Sequence, residues 1–350
     1  MQIYPKTTKP SVFNITTRQH NLSLQRMFHF YPHLRRLRVV FLGCIIICLF
    51  CVYTGQKYPL FPSRKSTDKI FPSRKTTDKI MSPFQHTLGF IRWNSLHPER
   101  IPVLEKYRPF FAELHYSMPN YTLKTNLTAD GWAPYKDVYK VVGDTMNIIL
   151  RQYPNIKGLL YFHFDAWLHP FRFDDMNFRK IWFPDSAVPP FKCVTDTTGW
   201  EWWAWEKGYD RIAKKATKNV AKSYSKRYIV RDNVFCGGWS DIYYIPREFF
   251  RDYITLGNVF YEADSFHEVA IPTMINIIDL TYRLTPYHSV VTRIGDCWGD
   301  CCTNGAKPED IKRKRCGHRI DFTKTHMKDT LVTILELGAR YLNRTIQKPA

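Results

Sequence analysis

A histidine and an aspartate two residues apart, His163 and Asp165, stand at the end of the apolar run Gly158-Leu-Leu-Tyr-Phe-His-Phe-Asp-Ala-Trp-Leu-His-Pro170. The first half of the run has the length of a buried strand, and Pro170 cannot continue an interior strand. Alternate strand residues share a face, so His163 and Asp165 point the same way. A lone carboxylate is expensive to bury unless it binds something, and open α/β sheets bind their ligands outside the carboxyl ends of the strands. The plain alternative is that Asp165 caps a turn, with His163 and His169 as satisfied polar neighbours.

Other residues could add to this chemistry. Gly237-Gly238-Trp239 precedes Asp241. The glycines allow close backbone approach to a ligand, or simply make a turn, and Asp241 can equally stabilise that turn. Glu262, Asp264 and Glu268 crowd into one short stretch. Ser265-x-x-Glu268 also fits a capping box, which would occupy Glu268 at a helix start. His318 lies among Arg313, Lys314, Arg315 and Arg319, a cluster able to meet a diphosphate or to sit solvated in a loop. Trp200, Trp202, Trp203, Trp205, Trp167 and Trp239 offer flat faces for sugar rings, although aromatics are more often core. Lys214, Lys215, Lys218 and Lys222 fit a solvated helix face.

The elements that must position these residues follow from periodicity. Tyr135–Tyr153 spaces Val138, Val141, Val142, Thr145, Ile148 and Ile149 on one helix face, and Pro154 and Gly158 end it. A strand over 158–164 follows directly, an α-then-β step of a mostly parallel sheet. Phe110–Tyr116, Tyr228–Cys236 and Asp241–Ile245 carry strand character, the last closed by Pro246. Ala204–Ser225, Arg247–Tyr253, the apolar run Val269–Ile278 with Pro272 near its start, and Lys324–Arg344 are helical in pattern. The fold class expected is α/β, with a mostly parallel twisted sheet behind one membrane helix and a disordered stem.

Charge and cysteines define the wider layout. The net charge is +20, yet residues 1–67 contain no Asp or Glu. Seven basic residues from Lys6 to Arg38 precede the apolar run Val39–Thr54. That run is short for a membrane span, but with Leu37, Gly55 and the snorkelling stem of Arg38 it reaches the lower bound. The basic lead is long for a cleaved leader, and no small-x-small site follows. The positive-inside bias then sets a cytosolic tail over 1–38, an anchor over 39–55, a stem over 56–87 and a luminal domain over 88–350. The stem carries a tandem duplication, Phe61–Ile70 and Phe71–Ile80, too short and polar for a solenoid. Sequons at Asn120, Asn126 and Asn343 fall on the luminal side, whereas Asn14 and Asn21 face the cytosol. Six luminal cysteines permit three disulfides in any of fifteen pairings. Zinc is the alternative for Cys297, Cys301, Cys302, Cys316 and His318, although no clean C-x2-C pair is present.

This order of basic tail, short anchor, polar stem and luminal α/β domain resembles that of Golgi type II glycosyltransferases of the GT-A class. Phe162-His-Phe-Asp165 resembles the place of their metal-binding Asp-x-Asp, although Ala166 and Trp167 follow Asp165 and His163 must supply the second ligand. Phe235–Pro246 resembles their glycine-bearing acceptor-side segment. Tyr261–Glu268 resembles their acidic catalytic segment, and His318 the C-terminal histidine with which some members complete metal binding. The resemblance covers about residues 88–345. It implies a single-pass Golgi or ER membrane enzyme that takes a nucleotide sugar and a glycan acceptor. Asp165, His163 and His318 would be ligands of a divalent cation, a mixed imidazole and carboxylate set that suits Mn²⁺ or another transition ion better than Mg²⁺, and Glu262, Asp264, Glu268 and Asp241 catalytic carboxylates. Gly237, Gly238, Trp239 and Trp167 would be substrate contacts.

Two other classes compete: a glycoside hydrolase built on a pair such as Asp165 and Glu262, and a non-catalytic carbohydrate-binding protein. Nucleic-acid binding is disfavoured, because seven of the positive charges precede the span and the rest face the lumen.

Overall fold

The computed structural model describes residues 81–93, 97–118, 138–184, 192–283, 288–299 and 305–346, all within the compact unit Lys69–Ala350. The tail, the anchor, the stem as far as residue 80, the sequons Asn120 and Asn126, and Cys301 and Cys302 lie outside the described residues, whereas residues 81–87 of the expected stem belong to the fold, with Phe84 buried in its core and Thr87 opening the first strand. No helix among the described residues is long and apolar enough to cross a membrane.

The core is a sheet of six strands: β1 (Thr87–Arg92), β2 (Glu113–Ser117), β3 (Gly158–His163), β5 (Ile181–Phe183), β8 (Ile242–Pro246) and β9 (Val291–Arg293), in spatial order β2-β1-β3-β8-β5-β9. Only β8 runs antiparallel to its neighbours, so the mostly parallel sheet is present. Parallel strands buried on both faces have near-continuous apolar sequences, and Gly-Leu-Leu-Tyr-Phe-His of β3 is buried throughout. Its residues alternate between two cores. Leu159 and Tyr161 face one core together with α1 (Val138–Gln152), and Leu160 and Phe162 face the other. Arg247 fixes the exit of α1 by donating to the carbonyls of Ile149, Leu150, Tyr153 and Ile156, which meets the unpaired carbonyls every helix end leaves.

Two smaller sheets finish the edge where β3 ends. β4 (Ala166–Leu168) pairs antiparallel with β11 (Cys316–His318), which pairs with β10 (Cys297–Gly299), while β6 (Lys192–Val194) pairs with β7 (Phe235–Gly237). A disulfide clasps each pair: Cys297–Cys316 and Cys193–Cys236. Besides α1 and two four-residue helices at Ile101–Leu104 and Trp203–Glu206, the α-helices among the described residues are α2 (Tyr209–Ser223), α3 (Phe250–Glu262), α4 (His267–Tyr282), α5 (Pro308–Arg313) and α6 (Thr325–Ile346).

Several expectations need correction. Phe110 closes a helical segment, and the strand begins only at Glu113. Strand structure in the stretch Tyr228–Cys236 is confined to Phe235–Gly237. The Lys-rich helix breaks at Gly208, whose left-handed backbone at φ 77° suits glycine. No capping box forms at Ser265. The helix starts at His267, the N-cap is Phe266 without a side-chain cap bond, and the buried Ser265 hydroxyl has no hydrogen-bond partner. Pro272 therefore sits inside α4, where it cannot donate to the carbonyl four residues earlier. That carbonyl belongs to Glu268, and it accepts the Gly238 N–H instead, at 3.0 Å. Thr273 reinforces the joint by bonding both backbone groups of Cys236. The proline thus frees the group that ties α4 to the exit of β7.

Candidate functional site

Parallel pairing brings the ends of β1, β2 and β3 together. Arg92 is in register with His163 on one side and with Ser117 on the other. The chain leaves β3 through Phe164, whose N–H bonds Arg92 O at 2.9 Å, and turns at Asp165 into β4. Because β8 is antiparallel, its starting end meets the same edge, and the Asp241 carbonyl accepts the His163 N–H at 2.9 Å. The third arm arrives on β11. His318 lies opposite Ala166, and Ile320 N–H bonds Asp165 O at 2.7 Å.

One contact decides that arrival. Gly317 lies opposite Trp167, and a Cβ on it would come within 2.0 Å of the indole. Only a glycine lets β11 lie this close, and that closeness carries His318 to Asp165. Trp167 itself is fully buried. It is a wall behind the site and has no exposed face for a ligand.

His163, Asp165 and His318 meet with their side chains. Nδ1 of His163 is 2.6 Å from Asp165 Oδ1, Nε2 of His318 is 2.8 Å from the same oxygen, and the two nitrogens are 3.4 Å apart. Arg319 Nε holds the second carboxylate oxygen at 3.3 Å. All three residues are buried. Burial opposes charge on Asp165, but His163 and His318 overcome it and hold the carboxyl well below its usual range. Burial depresses His163, against the pull of Asp165. Burial also opposes charge on His318, yet Asp241 and Asp165 raise it above an ordinary histidine. The two rings are thus driven in opposite directions, His318 holding a proton more readily than a free imidazole and His163 less readily.

The same donor set fits a divalent ion. One atom from each residue lies within 4.8 Å of the others. Ligands held at about 2.1 Å around one ion sit roughly 3 to 3.4 Å from each other, so the contracted triangle needs little expansion. The outer contacts fit as well. Metal-bound histidines usually have a carboxylate behind the ring, and bound carboxylates a further hydrogen-bond partner. Asp241 Oδ2 lies 3.8 Å from His318 Nδ1, and Arg319 holds Asp165. Trp239, almost wholly buried, packs its ring 5.2 Å from that of His318.

Glu268, in the first turn of α4, is the second acid here. Burial and the neighbouring charge of Asp241 push its carboxyl up to about 8. Arg92 and His115 were not singled out by sequence. Both are buried, and Arg92 Nε and Nη2 and both His115 ring nitrogens lack hydrogen-bond partners. Burial pushes the His115 imidazole down to about 4. The available signal was an arginine closing the apolar strand Thr-Leu-Gly-Phe-Ile-Arg92.

Other candidates lie elsewhere. Glu262 is exposed at the end of α3, and Asp264 is exposed in a left-handed turn beyond it. Arg315 pairs with Asp175 and Lys314 with Asp296, so Arg319 is the member of that basic cluster that reaches the acids. His169 is buried outside the triad. Gly237 and Gly238 lie between the tryptophan cluster and Glu268.

No protein-family model matches the chain, and no curated protein matches it. Among solved structures it is similar to a glycosyltransferase involved in the glycosylation of the major capsid of PBCV-1. The TM-score is 0.35 and the identity 8%, over 72% of this chain and 98% of that one. What the site can do therefore rests on its own side chains.

Proposed function

We propose that this chain is a metal-assisted glycosyltransferase, moving a sugar from a nucleotide-diphosphate donor to a glycan, glycoprotein or glycolipid acceptor. The observation that carries the reading is the buried His163–Asp165–His318 cluster at the carboxyl end of β3, with Asp241 and Glu268 on the same edge. His163, Asp165 and His318 would hold a divalent cation, Mn²⁺ in preference to Mg²⁺. Bound there, the cation supplies neutralisation of charge on a diphosphate leaving group.

The chain's own residues do the rest. Arg92 offers a buried guanidinium with unused N–H groups to an anionic oxygen. Arg319 and Asp241 orient Asp165 and His318. Glu268 has its carboxyl raised toward neutrality, as suits a base that takes the proton of an acceptor hydroxyl. A hydrolase built on Asp165 and Glu262 fits less well, because Asp165 is engaged by three neighbours and Glu262 is exposed. With the basic tail and the apolar run, the enzyme would be a single-pass type II protein of the Golgi or ER membrane, its catalytic domain luminal.

The test is thermal-shift titration of the full chain in detergent with UDP, GDP and CMP, with and without Mn²⁺. A rise of several degrees with one nucleotide, larger with the ion, is expected. No response to any of them overturns the reading.

A further inference from the structure

The aromatic residues beside the site are packed unlike those of the core. Trp93, Trp167 and Trp182 are fully buried, whereas Trp200, Trp202 and Trp205 are half-buried and Trp203 is 46% exposed. Trp202 and Trp205 pack inward on the small core of Ala204, Ala213, Phe235, Phe266 and Val269, and the outward area that stays wet forgoes about 25 cal/mol per Å², surface that a ligand could cover. The cluster is held rigidly. Trp200 and Trp202 lie parallel with centroids 5.9 Å apart, and Trp205 stands edge-on to Trp202 at 4.7 Å. The rings press on Gly237, where a Cβ would meet three of them at 2.9 to 3.0 Å. The Cys193–Cys236 disulfide clasps the strand pair beneath.

From Gly237 the chain runs directly to the acids. Gly238 bonds Glu268, Trp239 packs on His318, and Asp241 immediately precedes β8. Gly237 touches the rings and its neighbour Gly238 bonds the Glu268 carbonyl at 3.0 Å, so the tryptophans lie within a short oligosaccharide's reach of Glu268. Beyond Gly238, next to His318, Trp239 Nε1 and Ser240 Oγ are buried and without hydrogen-bond partners. The rim is charged, with Lys192 over the Trp200 ring at 5.1 Å and Glu201 exposed. Stacking faces, a charged rim and unused donors are the chemistry of a carbohydrate site.

Resting on the reading above, we propose that Trp200, Trp202, Trp203 and Trp205 form the acceptor platform, on which a sugar unit of the acceptor stacks while its terminal hydroxyl reaches Glu268.

The test is tryptophan fluorescence and saturation-transfer NMR on the full chain in detergent, without nucleotide. The probes are linear trisaccharides of glucose, galactose, mannose and N-acetylglucosamine. At least one is expected to bind, to lose about tenfold in affinity in Trp203→Ala, about 1.4 kcal/mol, and to recover in Trp203→Phe. Trp203→Ala should leave the nucleotide-induced thermal shift unchanged. The proposal is overturned if no trisaccharide binds, or if affinity is unmoved in Trp203→Ala and Trp200→Ala. It is equally overturned if the substitutions instead abolish binding to phosphatidylcholine vesicles or self-association. A nucleotide response without any sugar effect removes the platform and leaves the transferase. Sugar binding without a nucleotide response keeps the sugar site and removes its role as an acceptor site.

Discussion

Asp165 is the residue on which the site depends. Its two oxygens meet His163, His318 and Arg319, and nothing of similar size replaces a carboxylate that accepts from all three. Asp165→Asn should abolish the Mn²⁺-dependent thermal shift and lower turnover by about 100-fold or more. An unchanged Mn²⁺ response would show that the ion does not bind there. Glu268 gives a pH signature. Its folded value of about 8 lies above the ordinary 4.5, so between these values the folded chain keeps a proton that the unfolded chain has lost. Stability contributed by this group therefore falls as pH rises through that window. Glu268→Gln removes the slope, and melting at pH 8.5 should gain more from the substitution than melting at pH 5.5. If Glu268 is the base, native turnover climbs toward pH 8, and Glu268→Gln loses that limb. A rate profile flat across this range would remove Glu268 from the role.

At the scale of elements, β11 is placed by one glycine and one tryptophan. Gly317→Ala puts a methyl into the Trp167 ring, and overpacking of this kind costs about 1 to 3 kcal/mol. The larger effect should be on the site, because His318 rides on the same strand. Mn²⁺ affinity should weaken in Gly317→Ala and recover in part in the Gly317→Ala, Trp167→Phe double variant, read as a double-mutant cycle. Equal Mn²⁺ affinity in both single variants and the native chain would show that this packing does not position His318. The α4 joint shows how sequence can mislead. Ser265 and Glu268 have the spacing of a capping box, yet the helix begins at His267 and leaves the Ser265 hydroxyl unused. The competing influence is tertiary. Pro272 vacates the Glu268 carbonyl for Gly238, and Thr273 grips Cys236. Local pattern cannot reveal that a carbonyl will find its partner on a distant strand.

At the scale of the whole molecule, the disulfides clasp the two arms that reach the site. Cys193–Cys236 spans a separation of 43 residues and Cys297–Cys316 one of 19. Closing loops of these lengths restricts the unfolded chain by about 3 to 4 kcal/mol each. Cys297→Ser with Cys316→Ser should lower the melting temperature and also weaken Mn²⁺ binding, because Cys316 is two residues from His318. A variant that melts lower but binds Mn²⁺ normally would make that disulfide a stability element only.

The sequence by itself determined the central strand, because an unbroken apolar run between helix-ending and strand-ending residues has few other solutions. It also placed His163 and Asp165 at the exit from β3, although Asp165 lies in the turn beyond the strand, where the two-residue alternation no longer applies. The long helices α1 and α6 were legible because their apolar faces recur at helical spacing. The tertiary structure alone decided which distant residues complete the cluster. His318 arrives from 153 residues further along because Gly317 fits against Trp167, and Arg92 arrives because β1 pairs in parallel with β3. Glu262 and Glu268 look alike in the chain, and only the pairing of α4 with β7 brings one of them inward. Such contacts depend on shape and register between segments far apart, which no local pattern of residues records.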